Sequence, residues 1–145
     1  MSDPVRAFLA EVEENVRGLR EDADVQALAR IFARSVAKYR YAYNFRWMGR
    51  PIIQLPQDMV AIQELVWRVQ PRTIVETGIA HGGSLIYYAS LLARLGGERR
   101  VIGVDVEVRP HNRAAIDDHP MRERIERVEG SSTAPDTRAR GMARR

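Results

Sequence analysis

The chain has 145 residues, of which 45% are hydrophobic, no cysteine and a formal net charge of +4. This length allows one domain with one sizeable core, and the lack of cysteine excludes disulfides, thiolate zinc sites and cysteine nucleophiles. From Thr133 onward, four arginines stand against a single acidic residue. The body of the chain is therefore nearly neutral, which disfavours a nucleic-acid-binding function.

The N-terminal region predicts two amphipathic helices. Apolar residues recur at helical spacing from Val5 to Leu19, after a cap at Asp3 and Pro4, and again over about residues 24–39. The acidic start lacks the features of a secretory signal, and no segment is apolar enough for a membrane span, so a cytoplasmic location is expected. The helices are expected to pack within the protein or to form a self-association surface that makes the chain a homo-oligomer.

The next segment, residues 41–58, is rich in aromatic residues and proline. This composition is unsuited to a continuous helix, and we interpret the segment as an ordered loop. Its aromatic side chains either bury the loop itself or line a binding surface. The helices and this loop together form the first predicted region, residues 1–56.

Residues 57–132 predict an incomplete Rossmann-like α/β sheet. The expected elements are a helix over residues 57–69, then strands at Thr73–Thr77, residues 101–105 and Ile125–Glu129, with intervening helices over residues 85–95 and roughly 112–118. Right-handed crossovers place the three parallel strands in the order third, second, first. The remaining residues, 133–145, have no usable period and little to bury, which predicts a disordered tail.

A glycine-rich turn, residues 76–84, joins the first predicted strand to its helix. Gly78, Gly82 and Gly83 would let a ligand approach the main chain, and free amides at the start of a helix would donate hydrogen bonds to it. These glycines could equally serve the turn alone. Their spacing matches neither the dinucleotide fingerprint nor the P-loop, which disfavours a pyrophosphate ligand.

Two carboxylates extend this candidate site. Asp105 ends the second strand, where it could accept hydrogen bonds from both ribose hydroxyls of a nucleoside or merely cap the turn; its position fits NAD and S-adenosylmethionine equally. Glu76 ends the first strand and could hold the cationic amino-acid end of S-adenosylmethionine, which has no counterpart in NAD. This difference favours methyl transfer over hydride transfer.

Three polar residues complete the predicted site. His81 could touch a ligand or order the loop, Ser84 opens the following helix, and Ser132, after the third strand, could approach an adenine. The three histidines of the chain lack the spacing of metal ligands, so no metal site is predicted. No catalytic residue can be assigned from the sequence.

Four segments, residues 43–58, 76–84, 103–105 and 129–132, resemble the cephalosporin hydroxylase and rhamnosyl O-methyltransferase family, in the family's own order. The resemblance covers roughly residues 41–132. It implies a Rossmann-like S-adenosylmethionine-dependent methyltransferase that acts on a hydroxyl of a small-molecule acceptor, namely a secondary metabolite, glycolipid or sugar. It also implies that complete members carry acidic magnesium ligands in later strands, which are absent from this sequence.

The composition of the tail suggests why the family pattern stops. Lys38 is the single lysine among 23 basic residues, which is typical of a GC-rich gene, and the tail resembles such DNA translated out of frame. We therefore predict a frameshift or truncation near Thr133, which would leave the first strand as an exposed edge, the active site incomplete and the chain inactive. The alternatives are a fragment of an NAD-dependent oxidoreductase and a non-catalytic assembly fragment.

Overall fold

The structure is a computed structural model that describes residues 3–142. The chain divides into two compact units, Met1–Tyr41 and Ala42–Arg145. The boundary lies after Tyr41 instead of at residue 56, so the aromatic segment belongs to the same unit as the α/β sheet and not to the N-terminal helices.

The first unit contains the two predicted helices, α1 (Asp3–Glu21) and α2 (Ala23–Ala37). Asp22 separates them, and its side chain caps α2 by accepting hydrogen bonds from the backbone N–H of Asp24 at 2.9 Å and Val25 at 3.0 Å. Neither helix contains a buried residue. None of the helices described, here or in the second unit, is long and apolar enough to cross a membrane.

The second unit begins with an antiparallel hairpin where the sequence predicts a loop. Its strands are β1 (Phe45–Trp47) and β2 (Arg50–Ile52), with Trp47 opposite Arg50. Met48 and Gly49 form the two-residue turn, with φ values of 44° and 84°, because a tight hairpin needs positive φ at both positions. The prediction of a loop without strands is wrong because both strands are very short and one contains proline, which only an outer strand tolerates.

The rest of the unit is the predicted α/β arrangement. Its elements, in chain order, are α3 (Pro56–Val69), β3 (Thr73–Thr77), α4 (Gly83–Leu95), β4 (Arg100–Asp105), α5 (Pro110–Asp117), β5 (Ile125–Glu129) and α6 (Pro135–Met142). Strands β3, β4 and β5 are parallel neighbours in that order. The predicted strands, their order and the crossover helices are confirmed.

Helix α4 forms the centre of the core. Its side chains Leu85, Ile86, Tyr87 and Leu92 are almost completely buried, because the sheet covers one side and the hairpin and α3 cover others. The indole N–H of Trp47 donates to the Ser90 hydroxyl at 3.0 Å, and its ring meets that of Tyr87 edge to face at 5.0 Å. The hairpin is thereby fixed against α4.

The two outer strands of the sheet differ in what packs beside them. Among the described residues β3 pairs only with β4, and Val75 on this outer strand is 59% exposed. On the other side, α6 packs beside β5 with Thr137 buried, where the sequence predicts disorder. Pro135 and Asp136 are favourable in the first turn of a helix, and the burial of Thr137 gives this short helix a contact. Residues 143–145 of the predicted tail lie outside the described residues.

Candidate functional site

A cavity of about 310 Å³ lies at the carboxyl ends of β3 and β4. Ligands of open α/β sheets bind at this edge. Of the predicted site residues, it brings together Glu76, Gly78, His81, Gly83, Ser84 and Asp105. The hairpin and the segment after it add Pro51, Ile53 and Gln54, and the turn adds Ile79 and Ala80.

A larger groove, of about 900 Å³, lies at the opposite ends of the strands and contains none of the glycine-rich turn. Two of its four arginines are engaged by main-chain carbonyls, and a third, Arg100, forms an ion pair with Glu126 at 3.0 Å. Arg99 donates to the carbonyls of Gln70 and Pro71, each at 2.6 Å, and Arg124 donates to those of Gly97 and Arg99 at 3.0 Å. These contacts tie together the loops at the amino ends of the strands, so we assign the groove a structural role.

Glu76 places a buried carboxylate in the cavity. Its partner in the sheet is Gly103, and the side chains of Leu85 and Ile79 fill the space where a Gly103 side chain would lie. Burial raises the pKa of the Glu76 carboxyl to about 7, although a hydrogen bond from the Ser84 side chain acts in the opposite direction. The second carboxylate oxygen, Oε2, is buried and has no hydrogen-bond partner.

Gln54 presents a second unsatisfied acceptor to the same cavity. Its Nε2 donates to the Tyr88 hydroxyl at 3.2 Å, whereas its Oε1 is buried without a hydrogen-bond partner. Burial raises the pKa of Tyr88 despite the Gln54 hydrogen bond, and the nearby charge of Glu76 raises it further. Because buried polar atoms without partners are costly, two such acceptors on residues that line one cavity favour a donor ligand there, which the oxygens would meet through a small rotation of their side chains. The sequence analysis did not identify Gln54, whose segment carries no motif for a ligand contact.

Asp105 both orders the glycine-rich turn and lines the cavity. Its Oδ2 accepts a hydrogen bond from the Ile79 backbone N–H at 2.7 Å, while Oδ1 has a long contact of 3.4 Å with the N–H of Glu107. Burial by itself raises the pKa of this carboxyl, but four backbone N–H groups outweigh burial and the resulting pKa is lowered; they belong to Ile79, Glu107, Ala80 and Val106. The two roles considered for Asp105, capping and ligand contact, are compatible because they use different oxygens.

The three glycines of the turn are needed for different structural reasons. A Cβ on Gly83 would lie 2.1 Å from the Pro51 carbonyl oxygen, and one on Gly82 would lie 2.6 Å from the Ile116 side chain. These two glycines are therefore required for packing against the hairpin and α5. Gly78 has φ +88° and free space where a Cβ would be, so it is the glycine that leaves the main chain open to the cavity.

Arg50 and Asn112 hold the carbonyls of the turn. The Arg50 guanidinium donates to the His81 carbonyl, with Nη2 at 2.6 Å, and to the Asn112 side chain at 3.2 Å. Asn112 is buried and donates to the carbonyl of Ala80 at 2.8 Å. Ala80 has φ +46°, an unfavourable value for a residue with a side chain, which such fixed contacts stabilise. Neither positioning residue was identified from the sequence, because their partners are distant in the chain.

The remaining predicted residues lie at the margin of the cavity or outside it. The His81 side chain is exposed, and within the described part of the chain its ring makes no hydrogen bond, so the loop is ordered through its backbone carbonyl and not its imidazole. Gly82 caps the start of α4 but does not line the cavity. Ser132 is exposed and also lies outside the cavity lining.

A parallel sheet with a glycine turn after β3, an acidic residue at the end of β4 and a cavity between them defines a Rossmann-like domain of the nucleoside-cofactor-binding class. Comparison with known proteins identifies the family. The model of the Rhamnosyl O-methyltransferase/CmcI family matches residues 39–142, and the chain belongs to this family. The match includes α6 and thus extends beyond Thr133, where the sequence analysis places the end of the family pattern.

Similar curated proteins agree with this assignment. The chain is 29% identical over 89 residues to a rhamnosyl O-methyltransferase of Mycobacterium leprae (strain TN), covering 61% of this chain and 37% of the relative. It is 32% identical over 90 residues to the enzyme of the same name from Mycobacterium tuberculosis (strain ATCC 25618 / H37Rv), covering 61% and 35%. The chain thus spans little more than a third of the length of the curated relatives that it matches.

Two solved structures of CmcI share the fold. An apo structure superposes with a TM-score of 0.53 at 25% identity, over 66% of this chain and 39% of that one. A structure of CmcI with Mg-SAM gives a TM-score of 0.52 at the same identity and coverage. These comparisons support the incomplete Rossmann-like sheet that the three parallel strands form.

Proposed function

We propose that the cavity binds S-adenosylmethionine and that the complete protein transfers the cofactor's methyl group to a hydroxyl of a small-molecule acceptor. The observation that carries this proposal is the pair of unsatisfied acceptors, Glu76 Oε2 and Gln54 Oε1, in one cavity. The α-ammonium group of S-adenosylmethionine has three N–H donors and a positive charge, which match a carboxylate and an amide oxygen. NAD has no ammonium group to satisfy them.

Asp105 and Gly78 would hold the nucleoside part of the cofactor. Asp105 Oδ1 has a long contact of 3.4 Å to Glu107, and in this proposal it accepts hydrogen bonds from ribose hydroxyls while Oδ2 keeps its bond to Ile79. Gly78 leaves the main chain accessible beside it. The role of Gly82 and Gly83 in this proposal is indirect, because they allow the turn to pack closely.

When bound, S-adenosylmethionine supplies an electrophilic methyl group for in-line attack by an acceptor hydroxyl. The contribution of this chain is to fix the cofactor at both ends, since Arg50 and Asn112 hold the turn in one conformation, and correct placement of reactants accounts for a large part of catalysis. The described residues do not fit a magnesium site, because among them no three His, Asp or Glu side chains form a cluster suited to a metal ion. We therefore propose no step that involves a metal.

The nature of the acceptor rests on the relatives. Their names identify them as rhamnosyl O-methyltransferases, and we propose a hydroxyl of a sugar, glycolipid or secondary metabolite as the acceptor class. His81 lines the cavity and its side chain is exposed, so we propose that it faces an incoming acceptor. Self-association and a cytoplasmic location remain predictions.

Isothermal titration tests the cofactor proposal with three probes. S-adenosylhomocysteine carries both the nucleoside and the ammonium group, 5′-methylthioadenosine carries the nucleoside alone, and NAD tests the oxidoreductase alternative. We expect S-adenosylhomocysteine to bind about tenfold or more tightly than 5′-methylthioadenosine, because a hydrogen bond to a charged group contributes roughly 1.5–3 kcal/mol.

Three variants separate the contacts. Gln54→Leu and Glu76→Gln should each weaken binding of S-adenosylhomocysteine and leave that of 5′-methylthioadenosine nearly unchanged. Asp105→Asn should weaken both. Equal affinities of the wild-type chain for the two nucleosides, or tighter binding of NAD, would overturn the proposal.

A further inference from the structure

Tyr88 joins the core of the second unit to the candidate cavity, although it is not among the described residues that line this cavity. Its side chain is half-buried and packs against the buried cluster around α4, with its ring centroid 5.4 Å from that of Tyr87. Its hydroxyl accepts the hydrogen bond from Gln54 Nε2 at 3.2 Å. Because helix packing holds the ring, the hydroxyl gives a fixed partner to a side chain that comes from the segment after the hairpin.

This hydrogen bond decides which end of the Gln54 amide is left for a ligand. The amide carries an acceptor oxygen and an N–H donor group on the same carbon atom. Among the described residues, the bond to Tyr88 is the single hydrogen bond of this side chain. While Nε2 donates to Tyr88, the atom left for a ligand is Oε1. The reverse orientation would present N–H donors to the cavity, and these repel an ammonium group.

Helix α4 supports both acceptors of the cavity in the same way. Ser84 and Tyr88 are four residues apart and therefore lie on one face of this helix. The Ser84 side chain forms a hydrogen bond with the Glu76 carboxylate, as the Tyr88 hydroxyl does with the Gln54 amide. In each supported side chain one oxygen, Oε2 of Glu76 or Oε1 of Gln54, is buried without a partner. One face of α4 thus holds two side chains that line the cavity, and each keeps one acceptor unused.

We propose that Tyr88 is a positioning residue that makes the cavity selective for a cofactor with a cationic amino-acid group, because it keeps Gln54 Oε1 available to that group. This inference rests on the proposed binding of S-adenosylmethionine. Tyr88 acts through Gln54 and does not itself touch the cofactor.

A tyrosine hydroxyl suits this role because it can accept a hydrogen bond from an N–H group. It also stays uncharged at neutral pH, since burial raises the Tyr88 pKa. A phenylalanine at this position would keep the packing of the ring but would leave Gln54 Nε2 without its acceptor. The amide would then reverse or turn away from the cavity, because an N–H group without a partner is unfavourable.

A double-mutant cycle measured by isothermal titration of the full chain tests this role. Tyr88→Phe should raise the dissociation constant of S-adenosylhomocysteine about five- to tenfold, and that of 5′-methylthioadenosine, which lacks the ammonium group, by less than about twofold. In a Gln54→Leu background there is no amide to orient. There, Tyr88→Phe should change the dissociation constant of S-adenosylhomocysteine by less than about twofold.

Tyr87→Phe is the matched control, because it removes a hydroxyl from the neighbouring residue of the same helix. The Tyr87 hydroxyl donates to the Met59 carbonyl, and neither residue is among those described as lining the cavity. We expect this variant to lower the midpoint of urea unfolding and to leave the ratio of the two dissociation constants unchanged.

The outcomes separate this inference from the proposed function. If Tyr88→Phe weakened both ligands equally, left S-adenosylhomocysteine binding unchanged, or acted as strongly in the Gln54→Leu background, the positioning role would be overturned while cofactor binding stood. If the wild-type chain bound both ligands with equal affinity, the proposed function itself would fail, and the role of Tyr88 with it.

Discussion

Replacement of the buried Glu76 carboxylate by an amide should change how the stability of the chain depends on pH. Burial raises the Glu76 pKa from 4.5 to about 7. Below pH 4.5 the carboxyl is protonated in the folded and the unfolded state, so its ionisation does not change the free energy of unfolding. As the pH rises from 4.5 to about 7, ionisation of the unfolded state lowers the free energy of unfolding progressively. The full cost corresponds to about 3 kcal/mol of unfolding free energy. In Glu76→Gln this pH-dependent cost is absent.

Urea denaturation of both proteins at pH 5, 6, 7 and 8 measures this effect. We expect the variant to gain stability relative to the wild-type chain as the pH rises, by up to about 3 kcal/mol between the acidic and alkaline ends of this range. Comparing the two proteins at each pH subtracts the titration of all other groups. A difference that stays constant from pH 5 to pH 8 would refute the assignment of a buried, ionisable Glu76.

Three further predictions concern the turn and can be measured by denaturation or hydrogen exchange. Gly83→Ala places a Cβ 2.1 Å from the Pro51 carbonyl oxygen and should lower the free energy of unfolding by about 2–3 kcal/mol. The Cβ of Gly78→Ala meets no atom, so this variant should lose only about 1 kcal/mol, because of the positive φ at this position. Equal losses in the two variants would contradict the packing argument. Asp105→Asn should lower the free energy of unfolding by about 1–2 kcal/mol at pH 7. Because the Asp105 pKa is lowered in the folded state, this difference from the wild-type chain should disappear as the pH falls through that pKa. The same difference at pH 7 and pH 2 would contradict the role of the Asp105 carboxylate. Arg50→Met should speed amide exchange in residues 78–83 about tenfold with unchanged circular dichroism, and unchanged exchange would show that Arg50 does not order the turn.

The sequence was sufficient to predict the α/β sheet because its strands are short, β-branched runs bounded by glycine and proline. Strand β4 is nearly continuous in apolar residues, as expected for a strand that is covered on both faces. The hairpin was missed because Met48 occupies a positive-φ position where asparagine or aspartate usually signals the turn. The helix in the tail was not predicted because no periodic pattern reveals the burial of Thr137, which lies among the side chains of this helix that the structure describes.

The candidate site was predictable where it follows from the chain topology. Glu76 is the penultimate residue of β3 and Asp105 the last residue of the neighbouring parallel strand β4, so both side chains lie near the same edge of the sheet whatever the rest of the chain does. Gln54, Arg50 and Asn112 could not be predicted in the same way, because each reaches the turn from an element that tertiary packing alone brings near. The hydrogen bonds from these residues to the turn or to Tyr88 join positions that are 31 to 34 residues apart in the sequence.

The three glycines are needed for different reasons, and these reasons show how the hairpin and the turn depend on each other. Gly83 permits the Pro51 carbonyl to approach α4, and this approach places Arg50 against the His81 carbonyl and brings Gln54 to the cavity. A side chain at Gly83 would therefore displace a ligand-facing residue and a positioning residue together, although Gly83 itself need not touch a ligand. At this turn, Gly82 and Gly83 are needed so that the elements around the cavity can pack together. Only Gly78, where a side chain would meet no atom, leaves space for a ligand.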